Sequence, residues 1–127
     1  DFSPMKRFYF WQNNRIFDKD ELVKCANLMI GKNNFSLFSK ASSETKNKIC
    51  IIYESSWIFN DDSFSYRIVG NRFLQHMVRL IVGTMLEVSL GRITFDDFRS
   101  MLKCKEIQAK AVRAPAKGLF LNKVYYE

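Results

Sequence analysis

One stripe of polar residues interrupts a long apolar segment of the sequence. Residues 72–90 predict a helix that Gly91 ends, and at about 100° per residue its polar side chains share one narrow arc. Arg79 lies in the middle of that arc. Because a guanidinium cannot realistically lose its proton, a partly enclosed arginine needs a carboxylate, a phosphate or water as its partner. The stripe therefore predicts a site for a carboxylate, a phosphate or water. Its members are Arg72, Gln75, His76, Arg79, Gly83 and Glu87.

Two further residues of the stripe carry both a functional and a structural interpretation. Gly83 follows Arg79 by one turn, and glycine inside a helix costs about 1 kcal/mol relative to alanine. Close approach of another chain segment or of a nucleotide would compensate for that cost, but Gly83 also fits a simple packing gap. Arg79 itself also fits a side chain that reaches solvent at the domain rim. His76, the single histidine, can be read as an acid–base group or as an ordinary structural polar residue.

The remaining circumference of this helix is apolar. A surface helix usually has an apolar arc only a little over ~100° wide, whereas here apolar residues fill most of the circumference outside the polar stripe. The pattern predicts a helix that is embedded on most sides. The surplus apolar surface suggests a second covering layer, from another domain or from another subunit.

Several shorter elements surround this helix. Residues 6–11 are aromatic-rich and predict a strand. Asp18 is placed to cap a helix through the amide of Glu21, and Gly31 is placed to end that helix in a left-handed conformation. Residues 31–48 are polar and predict a loop, with Phe35 and Phe38 as apolar anchors.

The second half of the chain continues with a hairpin. Residues 49–53 form a dense apolar run typical of a central strand, residues 60–63 have turn chemistry, and residues 64–69 alternate as a second arm with one wetter face. A second short helix starts at Thr94, and residues 119–126 predict a closing strand. This order predicts one α+β domain over residues 1–127, with helices and a mostly antiparallel sheet in a ferredoxin-like plan.

Composition limits the function classes. The net charge of +7 suits a polyanionic partner such as nucleic acid, although it equally suits a solubilising charge. Cys25, Cys50 and Cys104 lack metal-binding spacing and predict reduced structural thiols in a cytoplasmic protein. The sequence contains one histidine, which argues against a zinc site with histidine ligands and against a histidine-based catalytic triad. Polar residues within 73–90 argue against a membrane span.

Four segments, in order, resemble the tRNA pseudouridine synthase A family. Residues 70–88, GNRFLQHMVRLIVGTMLEV, are similar to the family signature with its Met-Val-Arg and Ile-Val-Gly groups. Residues 2–11 resemble the segment that opens the family's C-terminal domain, and residues 28–38, LMIGKNNFSLF, resemble its Ile-Gly-x-His-Asp-Phe loop. Residues 114–126, APAKGLFLNKVYY, resemble its closing strand.

The resemblance implies a fold and a mechanism. The fold is a four-stranded, mostly antiparallel sheet with helices packed on one face, the ferredoxin-like or RRM-like half of a pseudouridine synthase. Arg79 would pair with the catalytic aspartate of the N-terminal domain. The reaction detaches uracil from its sugar, rotates it and rejoins it through carbon, at uridines of the tRNA anticodon stem-loop. The resemblance implies no metal, nucleotide or redox cofactor, and a homodimer is expected.

The sequence also departs from the family pattern. The Arg-Thr-Asp segment that holds the family's nucleophile is absent, so we expect a C-terminal domain that does not isomerise uridine alone. Asn33 and Asn34 replace the usual His-Asp pair, and Arg113 stands where a small or hydroxyl residue is common. No aspartate of this chain has the nucleophile's context; they are Asp1, Asp18, Asp20, Asp61, Asp62, Asp96 and Asp97.

Substrate contacts are predicted from position and charge. The residues expected to touch substrate or RNA are Arg72, Phe73, His76, Gly83, Lys6, Arg7, Lys110 and Arg113. Taken singly, each of the basic residues also fits an ordinary solvated charge. Two other functions stay open: an RNA-binding module that stacks bases on the aromatic residues 8–11, and a dimerisation domain without catalysis.

Overall fold

The computed structural model describes residues 5–12, 17–39, 47–61, 63–103 and 119–126, and for 5–12 and 119–126 it describes the backbone alone. Within these ranges lie five strands, three α-helices and one short 3-10 helix. The strands are β1 (Met5–Gln12), β2 (Gly31–Asn34), β3 (Ile49–Phe59), β4 (Ser63–Gly70) and β5 (Leu119–Tyr126). The helices are α1 (Lys19–Leu28), the 3-10 helix Ser36–Phe38, α2 (Met77–Ser89) and α3 (Phe95–Leu102).

The sheet is antiparallel, with the strand order β2-β3-β4-β1-β5. The α+β class and the antiparallel sheet are therefore confirmed, but the expected number of four strands is one too low. Gly31–Asn34, predicted as part of a loop, pairs with the start of β3 from Gly31 opposite Ile52 to Asn34 opposite Ile49. This polar tetrapeptide lacks apolar alternation, yet an edge strand needs only backbone hydrogen bonds to one neighbour. Phe35 and Phe38 are fully buried, as predicted for anchors.

The hairpin of β3 and β4 supplies the sheet's contribution to the core. Asn60 N–H donates to the Ser63 carbonyl across the turn at 2.8 Å, as the turn chemistry predicts. Along β4, Phe64, Tyr66 and Ile68 are buried and belong to the same hydrophobic cluster as the helices. The residues between them are more exposed to solvent, except that Val69 is only 3% exposed. The predicted two-faced second arm is thus confirmed over most of its length.

Both short helices begin where side-chain capping predicts. In α1, Asp18 Oδ1 accepts from the amide of Asp20 at 3.0 Å and from that of Glu21 at 3.3 Å. Gly31 has a φ of +112° and follows the helix closely, which places it in the region that favours glycine. In α3, Thr94 Oγ1 accepts from the amide of Asp97 at 3.0 Å. Each cap satisfies donors that the first helical turn leaves without a partner.

The predicted start of the long helix is wrong by five residues. Helix α2 begins at Met77, and residues 71–76 form a connector from β4, with a turn in which Met77 N–H donates to the Leu74 carbonyl at 3.1 Å. His76, immediately before α2, has a left-handed φ of +64°, which a helix cannot continue through. Periodicity did not show this boundary because Leu74 in the connector is buried like a helical core residue.

Helix α2 is embedded as predicted. Ten of its thirteen residues are buried, and it packs against α1, α3 and the 3-10 helix. This burial is reached within the single chain. The apolar circumference of α2 therefore gives no separate argument for a covering layer from a second subunit.

Candidate active-site helix

The residues of α2 that are not buried form one stripe. They are Arg79, Leu80 and Glu87, and at about 100° per residue they span an arc of about 100°. Gly83 lies within this arc but is buried. The predicted stripe therefore exists from Arg79 onward, while Arg72 leaves it because the helix begins later. Gln75, which is exposed, also lies before the helix.

Arg79 occupies the first turn of α2 and is partly buried. That first turn contains no acidic residue, and the N-cap residue His76 makes no capping hydrogen bond through its side chain. The backbone amides at a helix N-terminus carry a partial positive charge, which adds to the charge of the guanidinium. This end of α2 is therefore chemically suited to hold and orient a carboxylate or a phosphate oxygen.

Three predicted substrate residues lie close to Arg79 in sequence. His76 is partly buried and holds the left-handed turn before the helix. Phe73 is partly buried and packs against the hydrophobic core, and its Cε1 atom would lie 3.2 Å from a Cβ added at Gly70. Gly83 is buried, although it lies on the stripe that Arg79, Leu80 and Glu87 define. His76 thus directly precedes α2, Phe73 lies earlier in the same connector, and Gly83 lies one turn beyond Arg79 in the helix.

Arg72 has partners inside the chain. Its Nη2 atom donates to the carbonyl oxygens of Asn47 and Ile49, the latter at 3.0 Å, and its Nε atom lies 3.3 Å from the same Ile49 oxygen. Between these two residues lies Lys48, whose Nζ atom is buried and makes no hydrogen bond to any residue that the structure describes. Two basic side chains, Arg72 of the connector and Lys48, therefore lie at the start of β3.

The other predicted RNA contacts are placed only in part. Lys6 and Arg7 lie in β1, where their backbone pairs with Val69 and Ile68. Their side chains are not described, and Lys110 and Arg113 lie outside the described residues.

The sequence interpretation missed Asn71. Its backbone N–H donates to the Ile51 carbonyl and its side-chain Oδ1 atom accepts from Ile51 N–H, both at 2.9 Å. No local pattern indicates a pairing across 20 residues of sequence.

The two described cysteines are structural thiols, as predicted. Cys25 and Cys50 are free and buried, while Cys104 lies outside the described residues. Burial, with a smaller contribution from the Glu21 carboxylate, raises the pKa of the Cys25 thiol to about 12. Burial also raises the pKa of Cys50, although the nearby Arg72 guanidinium opposes this shift. Since the thiolate is the reactive form, both thiols are unreactive near neutral pH.

We therefore expect both thiols to resist alkylation at pH 8 in the folded protein. In a Cys104→Ser variant, mass spectrometry after iodoacetamide treatment should detect almost no modification without denaturant and two modified cysteines in 6 M urea. Rapid modification of Cys25 in the folded state would contradict its burial.

Two classes of site find no support among the residues that the structure describes. No group of three His, Cys, Asp or Glu side chains in these ranges lies close enough to hold a metal ion. No helix within them combines the length and the apolar character that crossing a bilayer requires.

Comparison with known proteins gives the family. A family model described as tRNA pseudouridine synthase matches residues 25–127. The chain is 36% identical over 122 residues to tRNA pseudouridine synthase A of Bacillus subtilis (strain 168), covering 96% of this chain and 49% of that protein. It is 35% identical over 123 residues to tRNA pseudouridine synthase A of Thermoanaerobacter sp. (strain X514), covering 97% and 50%. The chain thus spans about half the length of these curated relatives. Because the family match includes α2 and most of the chain, the protein belongs to the tRNA pseudouridine synthase family.

Proposed function

We propose that this chain is the C-terminal domain of an enzyme that converts uridine to pseudouridine in tRNA. Its Arg79 would pair with a nucleophilic aspartate carried by the other half of the enzyme. Two facts support this division of labour: the chain matches about half of each relative's length, and the family's Arg-Thr-Asp segment is absent from its sequence.

The observation that carries the proposal is the environment of Arg79. Ten of the thirteen residues of α2 are buried, and its first turn carries a partly buried arginine, Arg79. A cation held on a rigid helix, near the positive end of the helix dipole, provides a fixed site for an anionic group. A carboxylate from a second domain fits that requirement.

The Arg–Asp pair would prepare the aspartate for chemistry. Charge-assisted, bidentate hydrogen bonds from a guanidinium keep a carboxylate ionised and fix its orientation. In the isomerisation, the bond between the sugar C1′ and the uracil N1 breaks, the ring rotates, and C1′ bonds to C5. C5 loses its hydrogen as a proton to the solvent, and N1, which has lost its bond to C1′, takes up a proton. In this scheme Arg79 does not react itself but holds the reacting carboxylate.

Substrate affinity would come from basic side chains around this site. The net charge of +7 favours a polyanion, and each phosphate contact would make binding depend on salt. We assign Lys6, Arg7, Lys110 and Arg113 to the phosphates of the anticodon arm. His76 and Phe73, at the N-terminal end of α2, are assigned to the side that faces the uridine. A cytoplasmic homodimer remains a prediction from the sequence.

The proposal predicts that the chain alone is inactive and that joining it to its N-terminal half creates activity. The assay is tritium release from tRNA labelled at C5 of uridine, since that hydrogen is lost when C1′ bonds to C5. We expect no release from the chain alone and turnover by the joined protein.

The chain alone, added at the same concentration, is the control for contaminating synthase. Release of tritium by the isolated chain would place the nucleophile within these 127 residues and overturn the proposed division. An inactive joined protein that still folds and binds tRNA would overturn the proposed reaction.

A further inference from the structure

The connector before α2 is fastened to the first half of β3 at its beginning. The backbone of Asn71 donates to the Ile51 carbonyl, and its side-chain oxygen accepts from Ile51 N–H, each at 2.9 Å. Just before it, Gly70 approaches the same strand so closely that an added Cβ would lie 3.0 Å from the Ile51 oxygen. Asn71 therefore extends the pairing of β4 with β3 by one residue, with its backbone N–H as the donor and its side-chain oxygen as the acceptor.

The next residue fastens the connector further along the strand. Through three donor–acceptor contacts, the Arg72 guanidinium binds the carbonyls of Asn47 and Ile49, two acceptors that lie on the sequence just before and at the start of β3. Its planar fork matches this pair of acceptors in a way that a lysine ammonium cannot. The guanidinium thus uses several of its five N–H donors in hydrogen bonds to the chain's own backbone.

The far end of the connector meets the same strand. The Sγ atom of Cys50 lies 3.9 Å from the Sδ atom of Met77, the first residue of α2, and the same sulfur atom of Met77 lies 3.4 Å from Leu74 N. Between these anchors, His76 has a φ of +64°, a conformation that few non-glycine residues adopt. Arg79 follows Met77 by two residues. The direction in which α2 leaves the connector therefore depends on contacts with β3.

We propose that Asn71 and Arg72 are positioning residues, which hold the N-terminal turn of α2, and with it Arg79, at the place where the guanidinium meets its carboxylate. This inference rests on the proposed function. It gives Arg72 a different task from the phosphate contact that its charge suggests. A misplacement of about 1 Å at a reacting centre can cost roughly 10²-fold in rate, so loosening the connector should lower kcat.

The test uses the complete two-domain enzyme and paired substitutions. Asn71→Leu removes the acceptor for Ile51 N–H, whereas Asn71→Asp keeps an oxygen there. We expect Asn71→Leu to lower kcat by roughly 10- to 100-fold with KM for tRNA changed less than about threefold, and Asn71→Asp to recover most of the rate. Unchanged tRNA affinity also shows that a variant is folded.

Arg72 is tested by asking whether lysine replaces it. Lysine preserves a phosphate contact but not a forked contact to two carbonyls. Positioning predicts that Arg72→Ala and Arg72→Lys both lower kcat while leaving the salt dependence of tRNA binding unchanged. A phosphate contact predicts weaker binding for Arg72→Ala, a log–log salt slope smaller by about one, and rescue by lysine. The second pattern would overturn the positioning role.

Arg79→Ala in the same enzyme separates this inference from the proposed function. If Arg79→Ala abolishes activity while Asn71→Leu and both Arg72 variants keep the wild-type kcat, only the positioning role fails. If Arg79→Ala leaves turnover intact, the proposed function fails, whatever the connector variants do.

Discussion

Arg79→Ala should reduce pseudouridine formation by the complete enzyme roughly 10²- to 10⁴-fold. Removing one partner of a buried charge pair typically costs about 3–5 kcal/mol, because the other charge stays buried without compensation. If the whole cost raises the activation free energy, it gives the stated range, since about 1.36 kcal/mol corresponds to each factor of ten in rate. The loss should appear in kcat under saturating tRNA, since Arg79 is proposed to contact the aspartate and not the RNA backbone.

A matched arginine variant separates this effect from a general loss of positive charge. Arg99 on α3 is exposed and pairs with Asp96 at 3.0 Å, an (i, i+3) surface contact that contributes little to stability. Arg99→Ala should therefore keep kcat within about twofold. Equal activities of the Arg79→Ala and wild-type enzymes would remove Arg79 from the mechanism.

Lysine at position 79 gives a graded result. It keeps the charge but loses the bidentate geometry, so Arg79→Lys should lie between the alanine variant and the wild type. Tritium release over several ionic strengths checks this order. Full activity of the lysine variant would mean that charge alone, without the oriented fork, is sufficient.

The largest effect on folding is expected from Phe38→Ala. Phe38 is fully buried, and its ring centroid lies 5.8 Å from that of Phe98 on α3 and 6.3 Å from that of Phe35. Its removal deletes buried ring area and leaves a cavity between the 3-10 helix and α3. Such substitutions cost about 3–5 kcal/mol in the free energy of unfolding. Urea denaturation followed by circular dichroism measures the loss.

The neighbouring residue provides the control. Leu37 belongs to the same 3-10 helix but is 42% exposed, so Leu37→Ala should cost less than about 1 kcal/mol. A loss for Phe38→Ala no larger than that for Leu37→Ala would contradict the buried aromatic contact between the 3-10 helix and α3.

Local chemistry in the sequence was enough to predict many of the elements. The caps at Asp18 and Thr94 depend on side chains two or three residues from the amides that they bind, so their positions determine where α1 and α3 begin. Alternation along β4 and the apolar circumference of α2 indicate which sides face the core. These signals also placed Arg79 on the partly exposed stripe, because that assignment needs only the helical period.

Tertiary structure decided where α2 begins and what Arg72 binds. The hydrogen bonds that join residues 71 and 72 to residues 47–51 span 20 to 25 residues of sequence, so no local pattern contains them. The strand Gly31–Asn34 is likewise defined by its pairing with β3, since its polar residues have no alternation of their own. The sequence thus determined which side chains were available and on which helical face they lie. The conformation of the connector that orients these side chains was determined by long-range pairing, because its hydrogen bonds form only when β3 and β4 already lie side by side.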